Sequence, residues 1–283
     1  MRIWPAAVVA LFTVVAVPAH AERDPLTGAP IRPGEKRETP SPINDRFSLR
    51  GTFFAPTFGT SLRVDSKTNA TVGTPVSAEN DLGMPRHKPQ GRIELMFRLR
   101  QRSRLRVDYF ETSRNGSQVL SRPVLFGDEL FNAGDLATSS LDWRSFNLTY
   151  TYSFIRTERL EIGTGLAVHL LEAEARGAVP LRQLQQEVSG SGAFPTLPLD
   201  LIWRISRHFA FTARGQYFHV AHNGSQGSLG DYHADVQYRW TPNFSLGAGY
   251  SELRYSLAVN DANFPGSFRM SVRGPEAFMR VSF

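Results

Sequence analysis

The chain of 283 residues contains no cysteine. That excludes disulfide staples, thiolate metal sites, a cysteine nucleophile and a lipidated N-terminal cysteine. Runs of like charge are missing as well. The 32 basic and 26 acidic residues are interspersed, and the net charge of +6 is modest, so no nucleic-acid partner is expected. His87, His169 and His208 are scattered without ligand spacing, so no metal centre is expected. Gly163-Thr164-Gly165 and Gly247-Ala248-Gly249 lack the helix start and third glycine of a phosphate-binding loop, and no cofactor is expected. Beyond Ala21 no apolar run approaches the roughly 20 residues of a membrane helix.

What is present begins with an address. Arg2 is the one charge before the uninterrupted apolar stretch from Ala6 to Val17, and Pro18-Ala19-His20-Ala21 supplies a small-x-small site. Residues 1–21 read as a secretory signal peptide cleaved after Ala21. Residues 22–45 are rich in proline and charge and poor in large apolar groups, so they read as a disordered leader. The exported remainder is then either soluble or a β-barrel, and residues 46–283 carry the fold.

From Arg46 onward hydrophobicity has a period of two, the strand signature. Phe146, Leu148, Tyr150, Tyr152 and Phe154 alternate with Ser145, Asn147, Thr149, Thr151 and Ser153. The same pattern begins at Phe47, Arg92, Arg104, Leu160, Thr196, Phe209, Asp231, Phe244 and Glu276, which makes ten strands. Eight or twelve follow if residues 57–66 or 117–126 are assigned differently. Short connections near 101–103, 155–158, 206–208 and 241–243 alternate with long ones near 56–90, 111–140, 172–195, 220–230 and 256–267. The fold class expected is all-β: a transmembrane antiparallel up-and-down β-barrel of about ten strands.

A soluble sandwich or lipocalin-like barrel also alternates, with its apolar face inward. Two features favour an apolar exterior. Aromatic residues cluster at both strand ends: Phe47, Phe154, Trp203, Phe209, Trp240, Phe244 and Phe283 by the short turns, and Tyr109, Phe146, Tyr217, Tyr232 and Tyr250 by the long loops. Two such girdles suit two membrane–water interfaces. The polar face, with Gly163, Gly165, Gly247 and Gly249, also suits a crowded lumen.

On the Ala19-His20-Ala21 site and the closing Ala277-Phe278-Met279-Arg280-Val281-Ser282-Phe283, the chain resembles bacterial outer-membrane β-barrel proteins. Trp240-Thr241-Pro242-Asn243 leading into Leu246-Gly247-Ala248-Gly249-Tyr250 looks like a turn and strand of small OmpW/OmpA-like barrels. No motif matches a characterised family. The resemblance implies outer-membrane lipids and the barrel-assembly machinery as partners, with Phe283 as the assembly signal. An even strand count places both chain ends on the short-turn side, expected to be the periplasm.

The polar faces collect Arg50, Arg92, Arg98, Arg100, Arg104, Arg106, Arg204, Arg214, Arg239 and Arg280, against Glu94, Asp108, Glu161, Asp200, Asp231, Asp235 and Glu276. In a narrow interior these are expected to pair and fill the lumen, since open aqueous channels belong to larger barrels. The expected role is structural or surface-interacting and not enzymatic. A narrow channel favouring anions is the first alternative. The second is a surface hydrolase of the lipid A deacylase or omptin kind. Its candidate residues are His222, Asp231, His233 and Asp235, with His219 and Ser225 nearby. However, Ser225 lies three residues after His222, unlike the His-x-Ser spacing of lipid A deacylases, and no acidic pair matches an omptin-like cleft.

Overall fold

The computed structural model describes residues 40–66, 68, 71–222, 225–259 and 266–283, with the backbone alone at His222. The signal segment with Ala21, and the leader up to residue 39, lie outside the described residues. The strands in chain order are β1 Phe47–Phe54, β2 Thr57–Val64, β3 Val76–Ser77, β4 Gln90–Arg100, β5 Ser103–Val119, β6 Val124–Phe126, β7 Glu129–Phe131, β8 Leu136–Arg156, β9 Leu160–Val179, β10 Leu184–Arg204, β11 Phe209–His222, β12 Ser225–Thr241, β13 Phe244–Val259 and β14 Gly266–Ser282.

Ten positions form a closed antiparallel ring in the order β1-β4-β5-β8-β9-β10-β11-β12-β13-β14, with β14 returning to β1. Beyond Ala55 and Pro56 the first position continues as β2, which also pairs with β14. Closure leaves the wall no free edge at this joint. The Ser48↔Ser282 to Phe54↔Glu276 register is unbroken, and Phe47 and Phe283 exchange backbone hydrogen bonds of 2.9 Å in both directions. The first strand of the ring starts, and the last ends, at the short-turn end.

The apolar face points outward. Ile93, Leu148, Leu166, Leu199 and Met279 are exposed, while Arg50, Thr149, Glu161, Asp200 and Asp235 are buried. This is the reverse of a soluble barrel, in which the apolar faces line the inside. Both aromatic sets lie on the outward face, with Phe47 and Phe244 half-buried there. Tyr232 and Trp240 mark the two girdles on β12. Eight residues of tilted strand separate them, about 20 Å along the barrel axis, close to the usual apolar band of about 25 Å.

The structure differs from the sequence expectation in three places. Residues 40–45 are not the tail of a disordered leader: Ser41, Pro42, Ile43 and Asp45 are buried at the short-turn end. The Asp45 carboxylate accepts from Arg239 at 2.7 Å and faces Arg280 at 3.3 Å, and Arg98 donates to the Asp45 carbonyl at 3.2 Å. These bonds and the buried Ile43 offset the entropy of ordering the segment.

The long connections near 111–140, 172–195 and 220–230 are also mostly strand. β8, β9 and β10 run for 20 or 21 residues, far beyond the 9–11 that span a bilayer. The upper parts of the wall therefore stand clear of the apolar band. Finally, Arg100 is exposed and does not face the lumen, and Arg204 is half-buried beside Glu158 at a turn.

Candidate functional site

The lower half of the lumen is filled by ionic side chains. Because inward positions recur every second residue, each strand delivers its polar set as a ladder, and ladders from opposite walls meet. Arg50 on β1 donates to Asp235 on β12 at 2.8 Å and to Glu276 on β14 at 2.6 Å. Arg98 on β4 grips both carboxylate oxygens of Glu161 on β9, at 2.9 and 3.0 Å. Arg106 on β5 reaches Asp200 on β10 at 3.2 Å, and Arg104 reaches it at 3.4 Å. Arg214 on β11 is bonded to Glu94 on β4. Pairing with hydrogen bonds is what makes buried charge tolerable, since an unpaired ion in this setting costs several kcal/mol.

Glycine makes room for part of this packing. A Cβ on Gly247 would lie 2.2 Å from the Phe278 ring. That ring covers the bare backbone and in turn receives the Arg50 guanidinium at 3.5 Å from its centroid, within cation–π range.

The candidate catalytic residues do not form one constellation. His222 pairs with Ser225 at the tip of the β11–β12 hairpin, whereas His233 pairs with Arg214 eight residues down β11. At about 3.3 Å per residue they are some 26 Å apart along the strand. Asp231 and His233 do meet: Oδ1 lies 2.9 Å from Nε2. Yet Arg92 sits 2.8 Å from the same ring nitrogen, and Glu276 lies 3.7 Å from Nδ1. Asp235 is bound to Arg50 and accepts from Thr212. Toward the long-loop end, buried Leu229 stands two residues above Asp231.

Above the ions is a layer the sequence reading missed. Phe54, Phe58, Phe110, Trp143, Leu171, Leu229, Leu253, Tyr255, Met270 and Val272 form an apolar cluster inside the ring. A second cluster lies under the β6–β7 hairpin, including Val64, Val76, Leu120, Phe126 and Val179. The segment between β2 and β4 is tied to the wall through Arg114, which bonds Glu79 at 2.6 Å. Outside the wall, a hydrogen bond from Arg182 at 2.6 Å and the Asn132 backbone N–H hold the Asp135 carboxyl below its ordinary pKa.

The closed ring, its apolar belt and its charged lumen define a ten-stranded β-barrel of the outer-membrane class. Among solved structures, the outer membrane protease OmpT from Escherichia coli is similar in fold. The TM-score is 0.53 at 10% identity, covering 84% of this chain and 96% of that one. Weaker overlays include Ail of Yersinia pestis bound to a heparin analogue, with TM-score 0.32, 9% identity, 82% of this chain and 98% of that one. The P. putida toluene transporter TodX gives TM-score 0.32 and 8% identity over 84% and 90%. No protein-family model matches the sequence, and no curated protein sequence matches it.

Proposed function

We propose that this protein resides in the bacterial outer membrane as a sealed, non-catalytic barrel. Its short turns and both termini face the periplasm, and it acts at the cell surface through its long-loop end in a structural or interaction role. In this reading residues 1–21 direct export, outer-membrane lipids surround the belt, and Phe283 is read by the barrel-assembly machinery. The bond between Arg214 and Glu94 carries the proposal. β11 and β4 stand five places apart in a ring of ten, so the bond crosses the lumen from wall to opposite wall. With Arg50–Asp235, Arg106–Asp200 and Arg98–Glu161 around it, the cross-section is occupied by side chains.

Planar-bilayer recording of the purified protein tests this. The expected result is no discrete conductance steps in molar salt. Stable, anion-selective steps would replace the sealed barrel with a narrow channel.

A further inference from the structure

The upper lumen is not filled in the way the lower lumen is. A cavity of about 730 Å³ lies inside the long-loop half of the ring, within the range typical of small-molecule sites. Trp143, Leu171, Val188, Phe194, Leu257 and Phe268 are among its walls. The Trp143 ring is stacked on Phe268 with centroids 5.5 Å apart. Its buried Nε1 finds no hydrogen-bond acceptor among the described residues, an arrangement that disfavours an empty site. Among the described lining residues none is Lys or Arg, so no cation is placed there to hold an acidic head group, and the three carboxylates in the lining are already engaged, Asp65 by Arg63, Asp128 by Ser66 and Glu187 by Arg176.

The wall beside this cavity is open. β10 is bonded to β9 from Leu184 to Trp203, but to β11 only from Leu197 to Arg204. Above that, Phe218 to His222 of β11 pair with β12 alone. Phe194 packs against Phe218 at 6.3 Å and forms the sill of the gap. Just above it, Gln186 to Gly192 of β10 border the cavity. The gap lies where the outer face of β10 changes from Leu197 and Leu199 to Glu187, Ser189 and Ser191. That is the level at which apolar belt gives way to head groups.

We propose that this chamber binds an uncharged, largely apolar molecule carrying one hydrogen-bond acceptor, which accepts from Trp143 and enters through the seam between β10 and β11. The lower lumen need not be sealed for this to hold. The same ligand chemistry is offered by an acyl-ester chain of an outer-leaflet lipid whose head group stays outside the seam, and by a free hydrophobic compound in solution.

The W203F/W240F variant leaves Trp143 as the one tryptophan after residue 21, so its emission reports on the chamber. In lipid nanodiscs, a brominated long-chain alcohol is expected to quench that emission saturably. Val188→Phe and, separately, Ala173→Leu fill the cavity, and each is expected to weaken the effect about tenfold or more. Heat-modifiability shows which variants are folded. Nanodiscs containing a phospholipid with brominated chains supply the second arm. Quenching there without added alcohol identifies a leaflet chain as the occupant, whereas quenching by the alcohol alone identifies a ligand from solution. Quenching in neither arm, or non-saturating quenching equal in the folded cavity-filled variants, overturns the proposal.

Discussion

Glu94 and Arg214 are joined along a diameter of the barrel, one from β4 and the other from the strand directly opposite. Neighbouring strands are already held by their backbone ladder, so a pair between neighbours adds little shape. A pair across the diameter fixes how far apart the two walls stand. Here that separation equals the combined reach of one arginine and one glutamate.

Glu94→Ala therefore leaves a buried guanidinium facing a void. The expected loss is about 3–5 kcal/mol in urea unfolding of the refolded barrel. The double variant Glu94→Leu/Arg214→Met removes both charges and is expected to recover most of that loss. If the single and double variants unfold at the same midpoint, the pair contributes nothing beyond its volume.

Gly247→Val tests the inner packing at the short-turn half. The added side chain displaces the Phe278 ring and with it the contact to Arg50. Overpacking of this kind typically costs about 1–3 kcal/mol. The same substitution at Gly51, whose Cβ would meet nothing within 4 Å, is expected to change the midpoint much less. Equal effects at the two glycines would contradict this account.

Leu148→Arg probes the outer face. Leu148 is exposed near the middle of the apolar belt, and arginine at the bilayer midplane destabilises a barrel by about 2–4 kcal/mol. Arg144, on the same strand and face, is paired with Glu111 and Glu172 above the belt, so Arg144→Ala is expected to cost well under 1 kcal/mol. Unfolding from bilayers that reverses this ranking would move the membrane boundary along β8.

Sidedness follows from cysteine labelling, for which the cysteine-free chain is a clean background. On intact cells, Gln226→Cys in the β11–β12 hairpin is expected to react with a membrane-impermeant maleimide. Thr157→Cys in a short turn is expected to stay unlabelled until the cells are broken. Equal labelling of the two would reverse or abolish the proposed orientation.

The membrane half of this fold was legible because one physical rule governs it. Each strand there needs apolar residues facing lipid, and Phe146 to Phe154 obey that rule without exception. The upper half was not legible because the rule inverts within a single strand. On β8 the even positions are apolar and exposed from Phe146 downward. Above it Arg144 faces out, while Trp143 and Leu141 are buried inside. Read for one face only, that reversal looks like the end of the strand, and true strand reads as loop. The inversion itself was present in the sequence as a signal, and it also marks the top of the belt.

The surroundings of the candidate catalytic group were hidden for a related reason. Alternation places Asp231, His233 and Asp235 on one face, but it does not reveal which arginines arrive from across the lumen to occupy them. Arg92 and Arg50 do so here. Pairing across a lumen depends on ring size and strand stagger, which local patterns do not encode. Asp45 was missed because proline and charge around it mask a segment whose partners lie some 190 residues away.

The position of Asp45 bears on the order of assembly. It precedes the first strand, yet Arg239 and Arg280, which hold its carboxylate, belong to β12 and β14. The residues that stopper the short-turn mouth have no complete set of partners until the last strand of the ring is in place. Zipping β14 against β1 and anchoring this segment thus share a final step, and a chain stalled before that step is left with an open side and an unanchored Asp45 together.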